Sequence, residues 1–164
     1  MHDVSLYLLE LLENSVRAGA SHINVGLRID HASGELRLTV DDDGRGFDAA
    51  PERILDPFFT TKEGKKTGLG LSLLRAEAEA AAGGLTLGPS PTLGGARVDV
   101  AMRLDHVDRP PLGDLATTLV VTAVTNLDVE FTISLEGDEF GQPLIEAPLA
   151  QATELLIRSA ERLA

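Results

Sequence analysis

The chain of 164 residues has no cysteine and no tryptophan, a single tyrosine, and an aromatic content of 4%. Without cysteine it has no disulfide, no thiolate nucleophile and no zinc–sulfur centre. The four histidines stand at no metal-ligand spacing. A reducing compartment fits this composition, and the expectation is a cytoplasmic protein. Positive charge is also scarce, with 14 Lys and Arg against 26 Asp and Glu and a formal net charge of −12. Such a surface gains no counterion release from a polyanion, so neither nucleic acid nor a membrane is an expected partner and an anionic ligand needs a local site. No apolar run approaches the roughly 20 residues of a membrane span, and the chain opens on an amphipathic helix without a cationic leader. The length suits one domain, or one domain with an appendage, and buries a real core.

What is present is periodic. Residues 4–18 alternate at helical period, with Asp3 or Ser5 as N-cap and Gly19 as terminator. Ile23 to Ile29 alternates at period two, a turn at Gly34 follows, and a second run starts at Leu36, which predicts a hairpin. Residues 42–67 read as a long loop anchored by the apolar patch Ile54 to Phe59, with a helical turn inside it. An Ala/Leu-rich helix spans Leu69 to Ala82 and closes at Gly83-Gly84, and strands follow at Leu85–Leu87 and Arg97–Leu104. The expected order is α-β-β-loop-α-β-β over residues 1–107. After His106 the composition shifts, and residues 108–164 read as an extension. It has a helix from about Leu112 to Val124, with strand as the alternative, then a strand "VEFTISLEG", a loop "DEFGQPLIEAP" and a closing helix Leu149–Leu163.

Three stretches carry chemistry. In "ELLENSVRAGA", Glu10, Asn14 and Arg17 fall on one helix side, with Leu9, Leu12 and Val16 on the other. They form either a converging polar site or a solvated stripe in which Glu13 and Arg17 pair at i,i+4. In "VDDDGRGF", a strand ends on Asp42 and turns through Gly44 and Gly46, which lets backbone approach a flat ligand while a buried carboxylate accepts from an exocyclic amine. An acidic strand-end turn, or calcium bound by three successive aspartates, are the other readings of that motif. In "DPFFTTKEGKKTGLGLSLL", hydroxyls and three lysines precede Gly68-Leu69-Gly70 at a helix start, where free amides and the dipole favour phosphate. Neither a Walker A loop nor a Rossmann fingerprint is present.

In this order the three stretches resemble the N, G1, F and G2 boxes of the GHKL or Bergerat superfamily. Its members include gyrase, MutL mismatch-repair ATPases, the ninety-kilodalton heat-shock chaperones and sensor histidine kinases. The resemblance covers about residues 3–104 and implies an α+β fold: a two-layer sandwich with a mixed, largely antiparallel sheet and helices on one face, plus the C-terminal α-β-α extension. It implies ATP and Mg²⁺ as cofactors, with Asn14 as the metal ligand and Arg17 and Ala18 beside the nucleotide. Asp42 takes adenine N6, Gly44 and Gly46 shape the base pocket, and Phe58 or Phe59 anchors a lid, unless they are core residues. Thr61 and Lys62 approach the γ-phosphate, and Thr67, Gly68, Leu69, Gly70 and Leu71 embrace the phosphates. Glu10, four residues before Asn14, corresponds to the glutamate that polarises water or a hydroxyl in gyrase- and MutL-like ATPases and in anti-sigma serine kinases. Ala96 stands where the superfamily often has a threonine beside the adenine.

No phosphoacceptor histidine on a helical hairpin precedes the first helix, so a complete sensor histidine kinase is not expected. The expectation is a stand-alone, Mg-dependent ATP-binding module with slow ATPase activity, acting as a regulatory or accessory switch on a protein partner. It resembles small ATP-binding proteins of hydrogenase and bifurcating-oxidoreductase loci. The alternatives are an anti-sigma-like serine/threonine kinase and a non-hydrolysing ATP sensor.

Overall fold

The computed structural model describes residues 3–58, 69–137, 142–149, 153, 154, 157 and 158. Helix α1 (Val4–Arg17) starts at Asp3, whose carboxylate accepts from Leu6 N at 3.0 Å. Two more of its first amides are satisfied by a distant segment, Val4 N donating to Pro111 O and Ser5 N to Leu112 O. Strands β1 (His22–Asp30) and β2 (Glu35–Asp42) form the expected hairpin. A short helix α2 (Pro51–Ile54) sits in the long loop, and α3 (Leu69–Ala80) leads into β3 (Gly84–Pro89) and β4 (Ala96–Arg103). Then come α4 (Leu115–Thr125), β5 (Glu130–Gly137) and β6 (Gln142–Pro148). The region read as a loop from Asp138 to Pro148 is therefore a strand from Gln142. Two prolines are compatible with a strand there because β6 lies at the sheet edge.

The sheet has the order β3-β4-β2-β1-β5-β6. Its neighbours are antiparallel except β1 and β5, which run parallel with Val25 opposite Ile133. Alternation assigns the two faces. Ile23, Val25, Leu27, Leu36, Leu38, Val40, Val98, Val100, Ile133 and Leu135 are buried on one face. α1 and α3 cover it, and α4 lies on α1. The opposite face carries polar pairs such as Arg37 with Asp99 at 2.7 Å and Thr132 with Asn24 at 3.0 Å. The α1 stripe in the core runs through Val4, Leu8, Leu11, Leu12 and Ser15, while Leu9 and Val16 are half-buried. Among the described residues no helix is long and apolar enough to cross a membrane.

Candidate functional site

The three successive aspartates at the end of β2 point to three different places. Asp41 turns to the polar face of the sheet and binds Arg97 through both oxygens, at 2.7 and 3.0 Å, and Ser90 Oγ at 2.8 Å. Asp43, past the strand end, accepts from Ser21 N and Oγ and from His22 N at 2.7–2.9 Å. These bonds, the Ser21 hydroxyl first, hold its carboxyl below the usual carboxylate range. Asp42 faces the helices and is 3% exposed. Carboxylates so directed do not converge on one ion, and among the described residues no group of three acidic or histidine ligands could hold a metal.

The Asp42 carboxylate is fixed by three chain segments. Its Oδ1 accepts from Gly44 N at 2.9 Å and Ala96 N at 3.1 Å, and its Oδ2 accepts from Ser15 Oγ at 2.6 Å. An ionised carboxylate has about four acceptor positions, so roughly one remains, on the Oδ2 side, for an external donor. Ser15 and Gly95 are the residues that sequence reasoning missed here. Ser15 is a hydroxyl in the buried stripe of α1, which was the available signal. A Cβ on Gly95 would stand 2.4 Å from Asp42 Oδ1, so no other residue fits beside that carboxylate. At Ala96 the backbone amide does the contacting, and a side-chain hydroxyl is not required for it.

The glycine turn after Asp42 is packed on the end of α1. Arg45 N donates to Ala18 O at 3.0 Å, and a Cβ on Gly44 would lie 2.8 Å from that same oxygen. Gly46 has a left-handed backbone, φ +78°. Beside the turn, Arg45, Gly46, Phe47, Leu87, Gly94 and Gly95 line an open cleft between the turn and the β3–β4 connection.

The polar side of α1 meets the start of α3. Glu10 is half-buried, and its carboxylate lies so close to Gly70 that a Cβ there would sit 1.7 Å from Oε2. A side chain at position 70 would therefore displace the Glu10 carboxylate from where it lies. One turn on, Asn14 is exposed and its Oδ1 accepts from Arg17 Nη2. Leu71 is 5% exposed and belongs to the core, so only its backbone is available to a ligand. Phe58 is 85% exposed and is not a core residue. Phe59, Thr61, Lys62, Thr67 and Gly68 lie outside the described residues, as does the side chain of Leu69.

The structure thus brings Glu10, Asn14, Arg17, Ala18, Asp42, Gly44 and Gly70 to one side of the molecule, along α1. A family model described as histidine kinase-, DNA gyrase B- and HSP90-like ATPase matches residues 2–106. Comparison with curated proteins gives no match. Among solved structures the chain is similar to the N-terminal domain of a DNA repair protein, with a TM-score of 0.52 and 16% identity over 83% of this chain and 49% of that one. It therefore spans about half of that protein's length, and at this identity the likeness is one of fold. It is also similar to the Aquifex aeolicus MutL ATPase domain complexed with ADP, with a TM-score of 0.44 and 16% identity over 98% of this chain and 70% of that one. By the extent of the family match, the chain belongs to the histidine kinase-, DNA gyrase B- and HSP90-like ATPase family, the GHKL group of ATP-binding domains.

Proposed function

We propose that this chain binds Mg·ATP along the polar side of α1, between the Asp42–Gly46 turn and the start of α3, and hydrolyses it slowly with Glu10 as general base. The observation that carries this reading is the Glu10 carboxylate lying against Gly70. The first turn of a helix offers unbonded amides and a positive dipole end to an anion, so a terminal phosphate held there stands beside a carboxylate able to take a proton from water. At the other end, the spare acceptor position of Asp42 suits the 6-amino group of adenine. A guanine would bring its 6-oxo group against that same acceptor, while the nearby donors are already committed to Asp42. Ser15, which holds Asp42, is about 7–8 Å along the helix axis from Glu10, so an elongated ligand fits the spacing.

Asn14 suits Mg²⁺, which takes few protein oxygens and keeps phosphate and water ligands. Its Oδ1 accepts from Arg17 and keeps a second lone pair for an ion, with the guanidinium beside the phosphates. Bound there, the ion would neutralise phosphate charge. Thr61, Lys62, Thr67, Gly68 and Leu69 stay in the proposal as phosphate-side residues. The biological part of the reading is a regulatory or accessory role toward a protein partner in the cytoplasm. A net charge of −12 supports a protein partner over nucleic acid.

The test is equilibrium binding of a non-hydrolysable ATP analogue with and without Mg²⁺, followed by phosphate release from labelled ATP. Adenine-selective binding strengthened by Mg²⁺, with slow release of phosphate, is the expected result. Label transferred to a co-purified protein would instead make the chain a protein kinase. Binding without release or transfer would make it a sensor, and no binding would overturn the reading.

A further inference from the structure

The β3–β4 connection, which walls the cleft beside Asp42, is held from the opposite face of the sheet. Asp41 of β2 stands directly across from Arg97 of β4 in the antiparallel register, and the guanidinium donates to both of its oxygens, at 2.7 and 3.0 Å. Ser90, the first residue past β3, donates its hydroxyl to Asp41 Oδ1 at 2.8 Å and with the same oxygen accepts from Leu93 N at 3.1 Å. One carboxylate thus grips both ends of the connection, which leaves the sheet at Pro89 and re-enters it at Ala96. Within it, Ser90 N donates to Gly95 O at 2.9 Å and Gly94 N to Ser90 O at 3.0 Å. Its far end is delivered to the next aspartate. Gly95 N donates to the backbone carbonyl of Asp42 at 3.0 Å, and Ala96 N to Asp42 Oδ1 at 3.1 Å.

Burial sets this carboxylate apart from its neighbour on the same face. The Asp41 side chain is 2% exposed, whereas that of Asp99, the acid of the adjacent ion pair, is 24% exposed. Replacing a buried ion pair by an apolar pair of similar volume is often neutral or stabilising, so stability alone does not account for it. What a two-pronged guanidinium grip adds is fixed geometry. The element fixed here is the connection, and the group it presents is the Ala96 amide, one of two donors that hold Asp42 Oδ1 and leave the spare acceptor position on the Oδ2 side. We propose that Asp41, Ser90 and Arg97 are positioning residues for Asp42, setting through the β3–β4 connection how its carboxylate faces the base of the nucleotide. The proposal rests on the reading of Asp42 as the adenine acceptor.

Ser90→Ala removes one grip and leaves the Asp41–Arg97 pair in place, and two readouts follow it in the full chain. The backbone amide resonance of Ala96 in ¹⁵N-labelled protein reports its bond to Asp42 without any nucleotide, and Asp42→Asn supplies the reference direction for a weakened acceptor. In Ser90→Ala the Ala96 resonance should move in that direction. The His22 amide, held by Asp43, should stay, which separates a local displacement from a loosened sheet. Affinity for a non-hydrolysable ATP analogue should fall about three- to tenfold, the scale of one weakened hydrogen bond. Phosphate release at saturating Mg·ATP should change by less than about twofold, because the phosphate end is untouched. Combining Ser90→Ala with Asp42→Asn should cost no further affinity, since a residue acting through Asp42 has no effect once that carboxylate is gone. Arg97→Lys keeps the charge but loses the two-pronged grip, should give the same pattern, and carries the test if Ser90→Ala does not fold. An Ala96 resonance left at the wild-type position in these variants, or losses that multiply in the double variant, would overturn the proposal. A shifted Ala96 in Ser90→Ala, with a wild-type protein that binds no adenine nucleotide, would leave the positioning of Asp42 intact and sink its reading as the adenine acceptor instead.

Discussion

At the scale of the residue, one-step alternation along β2 gives three identical side chains three separate tasks. Asp42→Asn is the sharpest test. The Asn oxygen would turn to the amides of Gly44 and Ala96, leaving its NH₂ toward Ser15 and toward any incoming 6-amino group, donor against donor. Adenine-nucleotide affinity should fall by roughly 1.5–3 kcal/mol, about ten- to a hundredfold, as measured by calorimetric titration. Unchanged affinity with adenine preference intact would remove Asp42 from the site. Asp43 predicts an acid limb. Its folded carboxyl is held below its ordinary value of 3.8 by Ser21 and His22, so its stabilising contribution is present above that value and is lost as pH falls through the depressed one. In urea unfolding followed from about pH 5 down to about pH 2, the stability gap between wild type and Asp43→Asn should narrow with falling pH; a gap that stays constant would refute the linkage. The positions of Glu10, Asn14 and Asp42 on their helix and strand faces were legible because helical and strand periods assign faces. Ser15 was marked only by a hydroxyl in the buried stripe of α1, and its pairing with Asp42 left no local trace because that partner belongs to a distant strand.

At the scale of the element, α3 carries the phosphate end of the proposed site at its start and needs a firm end. The sequence pointed to Gly83-Gly84 as the stop, yet the left-handed residue is Ala82, with φ 59°. Gly83 N reaches Ala78 O at 2.8 Å and Ala82 N reaches Glu79 O at 3.1 Å, the bonding of a Schellman end. Gly83 is a glycine for another reason, since a Cβ there would sit 1.8 Å from Ala101 O. Strain of about 1–2 kcal/mol at a left-handed alanine is offset in a glycine variant by its extra chain entropy, about 0.5–1 kcal/mol. Ala82→Gly should therefore stabilise by about 0.5–1 kcal/mol, seen as a rise of a few degrees in Tm. A lowered Tm would mean that the Ala82 methyl group contributes more than its backbone costs. The same limit on local reading explains β6. Prolines and a glycine argue for a loop, and only the free edge of β5 makes a strand of residues 142–148.

At the scale of the whole molecule, the sheet joins what composition divides. β1, from the nucleotide-binding part, is bonded on one side to β2 and on the other to β5, from the segment beyond residue 107. Ile133 and Leu135 of β5 are 1% and 0% exposed, in the same buried layer as Ile23 and Val25. A parallel pair so far apart in sequence leaves no local trace, because its register depends on long-range closure. If residues 108–164 are an appendage folding by itself, unfolding should show two transitions, and Ile133→Ala should move one of them. If β1 and β5 share one core, Ile133→Ala should cost about 2–5 kcal/mol and lower a single transition, and Ile23→Ala on the nucleotide side should lower that same one. Calorimetric and spectroscopic transitions that coincide in all three proteins would support the shared core. A wild-type transition that splits, with Ile23→Ala and Ile133→Ala acting on different halves, would establish the extension as a separate domain despite the continuous sheet.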